Sequence, residues 1–339
     1  MKAIAKTRPA FGAELIDLPV PRPARGELLV KVAACGICGS DLHIYEWELG
    51  AERFAPRLPM VLGHEPAGEV TEIGAEVRGF KPGDHVALDP FGHCGRCPTC
   101  LSGRFNLCTA PTTLSGAFAE YTIAPAANAY LVPADMNLEQ AALLEPFATG
   151  LHGVEQSGVK AGDRVVIEGP GPIGLCTALA ARAMGAASVV ITGLRADAER
   201  LELARRFGFS TVCAEDEDWI AQVVQGVGEG GADVVFDAAG MMQSVRQLVK
   251  RGGQLVLLGW PARDIPSAEM RALFFHGVNI ISSRVRSPQT WRRAIALVGG
   301  GQVELRPMVT HRVDLANGLQ AFELLRRKQG VKVLVNPAL

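Results

Sequence analysis

The sequence predicts an α/β protein in two parts, a β-rich domain and a doubly wound parallel sheet. Three observations carry this. Short β-like runs broken by glycine and proline fill the first part of the chain, up to about Pro146. From about residue 151 the rhythm changes to strand, glycine turn, helix, strand. The 339 residues, 48% hydrophobic and 20% charged, are enough for two domains with cores of their own.

Taken in order, ELLVKVAA, GEVTEIG, DHVAL and AEYTIA read as strands, with turns such as KPGD at Lys81 to Asp84 between them. LEQAALLEPFATGLHGVE then has the apolar spacing of a helix. DRVVIEG, SVVITG, DVVFDAAG and QLVLLGW follow as strands, alternating with the helical segments PGPIGLCTALAARAMG and RLELARRFG. That alternation argues for a parallel sheet with helices on both faces. From about Ser287 the elements are mixed again, and this tail is expected to pack back onto the first domain. The expected domains are therefore 1–150 with 287–339, and 151–286.

Lysine plus arginine (34) nearly cancels aspartate plus glutamate (35), so no large basic field exists to hold nucleic acid or an anionic membrane. Small molecules become the expected partners. MKAIAKTRPA lacks the apolar core and cleavage site of a signal peptide, and no apolar run is long enough to span a bilayer. A cytoplasmic location is expected, in which eight cysteines read as metal ligands or buried thiols instead of disulfides.

Four of them stand in GHCGRCPTCLSGRFNLC, where Cys94, Cys97, Cys100 and Cys108 have the spacing C-x2-C-x2-C-x7-C. Four thiolates in a loop without apolar periodicity can close a tetrahedral structural zinc site. A bacterial ferredoxin run begins alike, but its fourth cysteine follows after x3 and precedes proline. Here Thr109 follows Cys108, which disfavours an iron–sulfur cluster. Two more cysteines, Cys35 and Cys38, open ACGICGSDLHIYEW at C-x-x-C spacing. A redox pair, half of a zinc knuckle and a glycine-rich turn with one important sulfur all fit that spacing. In VLGHEPAGEV, His64 and Glu65 stand side by side, a pair that is weak evidence alone.

VVIEGPGPIGLCTALAA supplies G-x-G-x-x-G through Gly169, Gly171, Pro172, Ile173 and Gly174, between a strand and a helix. Such glycines let the backbone approach a pyrophosphate, whose charge the helix N-terminus favours. An acid at the end of the next strand would bind both ribose hydroxyls of NAD, but Gly193 stands there, with Arg195 two residues on. A missing carboxylate removes repulsion toward a 2′-phosphate and a guanidinium can pair with it, so NADP is the preferred cofactor and NAD the alternative. Arg200 can assist, but reads first as the cap of a helical face.

C-G-I-C-G-S-D-L-H, G-H-E-P-A-G-E-V, the four-cysteine lobe and the glycine-rich turn occur in the order and spacing of the zinc-dependent medium-chain dehydrogenases, which the whole chain resembles. The resemblance implies a GroES-like catalytic domain beside a Rossmann domain, and a catalytic zinc associated with Cys38, His64 and Glu65. Glu145, in LLEPFATGLHG, matches the acidic residue of the polyol and threonine dehydrogenase branch. Two zinc ions per chain follow, one catalytic and one structural. Cys35 then reads as a buried small side chain.

Zinc with an open position lowers the pKa of a bound alcohol, and the resemblance implies that Ser40 takes its proton and His43 delivers it to solvent. It also places cofactor contacts at Ala238, Leu258, Gly259, Ser282 and Arg284, and implies a homo-oligomer, a dimer or tetramer. HIYEW is similar to threonine dehydrogenases, so Tyr45 and Trp47 either line the substrate pocket or pack as core aromatics. The expected activity is hydride transfer between an alcohol or ketone substrate, a polyol or sugar alcohol, and NADP. NAD-dependent L-threonine 3-dehydrogenase activity and a noncatalytic nucleotide-binding relative are the alternatives. The intact Cys38, His64 and Glu65 set disfavours a zinc-free quinone reductase.

Overall fold

A computed structural model describes residues 1–48, 50–114, 116–242, 245–260 and 264–339, which form two compact units. The first comprises Met1–Glu145 and Glu304–Leu339, and the second Pro146–Val303. Among the described residues no helix is long and apolar enough to cross a membrane.

The first unit is built on a seven-stranded sheet. Along it lie Val309–Val313, Lys332–Val335, Glu27–Gly36, Glu65–Ile73, His85–Leu88 and Ala129–Leu131, with Tyr121–Pro125 also paired to Glu27–Gly36. Leu28, Leu29, Val30, Val32 and Ala34 supply most of the buried side chains of Glu27–Gly36, and the strand is buried over most of its length, as befits one with partners on both sides. Its register places Gly36 opposite Glu65 on one side and Leu334 on the other. Strands far apart in sequence thus converge at one strand end. Ile4, Val32, Cys35, Phe118, Phe322, Val333 and Val335 form the core beneath it, each worth roughly 1.5–3 kcal/mol where a large side chain leaves water.

The second unit holds a six-stranded parallel sheet in the order Ser210–Cys213, Ser188–Gly193, Arg164–Glu168, Ala232–Asp237, Val249–Leu257 and Asn279–Ser282. The chain steps outward from Arg164–Glu168 to one edge, then resumes on the other side at Ala232–Asp237. The crevice between those two strand ends is the switch point at which open α/β sheets bind ligands.

The helix Pro288–Gly299, expected with the first domain, belongs to the second unit. Its Thr290 donates to Glu155 Oε2 at 2.5 Å and Arg293 pairs with the same carboxylate, while His152 Nδ1 lies 3.2 Å from Thr290 Oγ1. These contacts between side chains of opposite polarity hold the helix there, so the second division falls at Val303 instead of near Ser287.

Candidate active site

Cys38 is the N-cap of the helix Gly39–Glu46, so that helix starts at the candidate ligand and carries Ser40, Asp41 and His43 on its first turns. His64 and Glu65 come from the start of the strand Glu65–Ile73 and the turn before it. The sulfur of Cys38, a ring nitrogen of His64 and a carboxylate oxygen of Glu65 all lie within 4.8 Å of one another. Glu145 stands outside that group, although it is buried at 6% exposure in the same unit.

Asp41, to which the sequence reading gave no role, ties these parts together. Its Oδ2 accepts the backbone N–H of Cys38 at 3.0 Å, and its Oδ1 lies 3.2 Å from His64 Nδ1. A proton on Nδ1 shared with this carboxylate leaves the Nε2 lone pair for a metal, as a carboxylate behind a ligating imidazole does in general. Burial lowers the His64 pKa, but Asp41 and then Cys38 outweigh it, so the free imidazole stands well above its ordinary value. Ser40 Oγ is 3.5 Å from His64 Nε2, on the side where a ligand would sit. His43 follows one helical turn after Ser40.

A second residue absent from the sequence reading is Lys332. Its Nζ donates to both Glu65 oxygens at 2.7 and 2.9 Å and to the Ile37 carbonyl at 3.0 Å. Both side chains are essentially sealed from water, at 1% and 0% exposure. Burial works against the ammonium charge, yet Glu65 first, then Cys38 and Glu145, more than offset it and raise the Lys332 pKa. The pair fits tightly: a Cβ on Gly36 would lie 2.0 Å from Glu65 Oε2. Only glycine leaves room for that carboxylate.

Cys35 is fully buried in the core and burial pushes its thiol well up, so it is an inert side chain. No disulfide joins it to Cys38. The burial of Cys35 is what tells against the redox reading of C-x-x-C. Tyr45 stacks on Phe322 with ring centroids 4.6 Å apart and is 7% exposed, which makes it a core aromatic. Trp47 takes a left-handed φ of 61° at the helix C-cap and lies under the Lys6 ammonium, 5.3 Å from its ring centroid.

The four remaining lobe cysteines also converge. Their sulfurs all lie within 4.8 Å of one another, with Cys97 Sγ 3.4 Å from Cys100 Sγ. The Thr99 hydroxyl, then backbone amides, pull the Cys97 thiol down to about 4, while burial, with the neighbouring sulfurs, pushes Cys100 up to about 12. The lobe has a four-residue helix, Pro98–Leu101, and a single 3-10 turn, Phe105–Leu107, and leaves Leu101 75% exposed. A loop with so little apolar cover needs a different staple, and four soft donors at this spacing fit zinc.

In the second unit, Gly169 has a φ of 103° and Gly171 caps the helix Pro172–Ala183. A Cβ on Gly174 would lie 1.9 Å from the Gly169 carbonyl oxygen, so the turn closes as a phosphate-binding turn does. The helix begins with Pro172 and Ile173, which leaves its first N–H groups open toward the turn. Gly193 ends its strand where a Cβ would meet Pro170 Cγ at 2.8 Å. The absent acid therefore has a steric cause as well as an electrostatic consequence.

Arg195 is exposed, and its Nη2 donates to the Glu215 carbonyl at 3.2 Å and to Asp216 Oδ1 at 3.0 Å. Arg200 lies 3.6 Å from Asp197, the N-cap of its own helix Ala198–Arg206, and is largely buried. Ala238, Leu258 and Gly259 gather at the switch point: Ala238 N–H donates to Glu168 O, and the Leu258 and Gly259 N–H groups both donate to Asp237 O. Ser282 ends the edge strand, with Arg284 exposed beyond it. The buried arginine of that segment is Arg286, which donates to Thr149 Oγ1 at 2.9 Å and lies against Trp291.

Comparison with known proteins agrees with this geometry. Residues 24–134 match the alcohol dehydrogenase GroES-like domain and residues 172–299 the zinc-binding dehydrogenase domain. The chain is 36% identical to an L-threonine 3-dehydrogenase of Bacillus velezensis over 346 residues, and 34% identical to that of Escherichia coli K12 over 345, covering 99% of each chain. Among solved structures it is similar to a zinc-binding dehydrogenase from Sinorhizobium meliloti 1021 bound to NADP, with a TM-score of 0.87, 34% identity and 99% of both chains covered. It is also similar to galactitol-1-phosphate dehydrogenase from Escherichia coli, with a TM-score of 0.88, 28% identity, and 99% and 100% covered. With both domain models matched and relatives aligned along its whole length, the chain belongs to the zinc-dependent medium-chain dehydrogenases, oxidoreductases that act on CH–OH groups.

Proposed function

We propose that the protein interconverts a small secondary alcohol and its ketone, with a polyol, sugar alcohol or similarly hydroxylated molecule as substrate and NADP as hydride carrier. The observation that carries this reading is the convergence of Cys38, His64 and Glu65 within 4.8 Å, with Asp41 turning the imidazole. Cys38 and His64 hold the catalytic zinc, with Glu65 or Glu145 as the third protein ligand; Cys94, Cys97, Cys100 and Cys108 hold a structural one. Bound zinc supplies a Lewis acid that makes the substrate hydroxyl acidic.

The chain's own residues do the rest. Ser40 accepts the hydroxyl proton, and His43 passes it to solvent. The turn from Gly169 to Gly174 receives the pyrophosphate at a helix N-terminus. Ala238, Leu258, Gly259, Ser282 and Arg284 border the cofactor. A nicotinamide bound there would supply the hydride acceptor.

For the cofactor, Gly193 brings no acid against a 2′-phosphate, and Arg195 is free to turn toward it. Its pair with Asp216 is exposed on both sides, and such pairs contribute at most about 1 kcal/mol. The NADP-bound Sinorhizobium relative supports the same choice. A second reading, NAD-dependent L-threonine 3-dehydrogenase, is favoured by the names of the Bacillus and Escherichia relatives. We place the protein in the cytoplasm as a homo-oligomer, a dimer or tetramer.

The test is a panel of polyols, sugar alcohols, amino alcohols and L-threonine, each with NAD and NADP, read by absorbance of the reduced nicotinamide. A polyol or related alcohol fastest with NADP is the expected result. L-Threonine fastest with NAD would replace the first reading by the second, and no turnover of any alcohol would remove both.

A further inference from the structure

The two strands that flank the switch point each end in an acid, and the sheet register sets Glu168 directly beside Asp237. Their carboxyls have opposite fates. Asp237 is 1% exposed and fully engaged: Oδ1 accepts the N–H groups of Ala239, Gly240 and Met241 at 3.0, 2.7 and 3.3 Å, and Oδ2 that of Met242 at 3.0 Å. Glu168 is 7% exposed, and its Oε2 is buried without a hydrogen-bond partner. It immediately precedes Gly169 and closes the strand RVVIE after the buried Val165, Val166 and Ile167, where a valine would pack as these neighbours do.

A buried carboxyl oxygen without a partner is destabilising, so its presence at the strand end that leads into the glycine turn calls for a group that completes it. Next to the glycine turn an ionised carboxylate would repel the pyrophosphate that such a turn receives, whereas a neutral acid would not.

We propose that Glu168 binds the dinucleotide as a neutral carboxylic acid, donating a hydrogen bond from its side-chain hydroxyl to an acceptor on the cofactor. This rests on the reading of the crevice as the nucleotide site. The surroundings keep the proton in place: burial first, then Asp237, then Glu269 raise the Glu168 pKa well above the ordinary carboxylic-acid value. The charged groups facing it are Asp237 from the adjoining strand and Glu269 from the helix Ser267–His276, the latter paired with Arg246 at 3.4 Å. The neighbouring strand Ser188–Gly193 brings no charge. Among the described residues two carboxylates and no free cation act on the acid, which favours its neutral form. The bound cofactor, adding negative charge, favours it further, so binding and protonation of Glu168 reinforce each other.

Direct calorimetric titration with NADPH and NADH tests this without reference to turnover. Glu168→Gln keeps a neutral donor and is expected to bind like the wild type at pH 7. Glu168→Val removes the donor, and is expected to bind roughly 3–10-fold more weakly while unfolding at a higher temperature, because the orphaned polar atom is gone. As the pH rises toward 9 the wild type should lose affinity relative to Glu168→Gln. Equal affinities of Glu168→Val and wild type at pH 7, or superimposable pH profiles of wild type and Glu168→Gln, would overturn the proposal. If neither wild type nor Glu168→Gln binds either dinucleotide, the nucleotide site itself has been misread.

Discussion

Lys332 and Glu65 form a buried ion pair sealed from water, and pairs of this kind cost more to break than they contribute when whole. Lys332→Met leaves a carboxylate buried without its counter-ion, and should destabilise the protein by about 3–5 kcal/mol in urea titration. Adding Glu65→Gln to that variant should recover part of the loss. Asp41 acts differently, because it aims groups without neutralising them. Asp41→Asn should keep the fold by circular dichroism while weakening metal affinity about 10–100-fold in competition with a chelator, as carboxylates behind ligating imidazoles do. Asp41 stood within the motif that drew attention to Cys38, and only its two hydrogen bonds disclose its role. Lys332 was hidden further. In VKVLV a lone lysine between valines looks solvent-facing by alternation, and its partner lies 267 residues away.

Elements that close locally were the legible ones. The glycine turn needs only Gly169 to Gly174 and the helix after it, and the cysteine lobe needs only Cys94 to Cys108. Cys97→Ser should lower bound zinc from two ions per chain to one, counted by metal analysis, with the Cys38 site still filled. The segment Pro288–Gly299 was read only as part of a mixed tail, and its allegiance depends on Glu155 and His152, residues that sequence proximity does not connect to it.

A pH effect also belongs to this scale. Arg312, on the strand Val309–Val313, donates three hydrogen bonds to the two oxygens of Glu139 on the helix Leu138–Ala142, and Asn336 adds a fourth at 2.9 Å. The Arg312 hydrogen bond, with Asn336 beside it, holds the Glu139 pKa below its ordinary value. A depressed carboxylate stabilises the native state above its unfolded pKa, and that contribution is lost as the pH falls through the native value. Glu139→Gln should therefore lose stability relative to wild type at pH 7, with the gap closing below pH 4 in denaturant titrations at each pH.

At the scale of the molecule, the first unit is discontinuous in sequence and the second continuous within it. A chain ending at Val303 keeps Cys38, His64 and Glu65 but lacks Lys332 and the strand Lys332–Val335 that pairs with Gly36 and Cys35. Such a truncation should fail to retain metal at the Cys38 site through gel filtration. The two-part architecture was legible because the β-rich and alternating rhythms differ. The point at which the chain returns to the first unit was not, since a helix has the same periodicity in either.

The long separation of Glu65 from Lys332 has a consequence for biosynthesis. A ribosome must add 267 residues after the glutamate before its counter-ion exists, and the whole of Pro146–Val303 is translated in that interval. The nascent protein thus acquires a foldable nucleotide module first, and its metal centre can mature only once the returning strand has emerged.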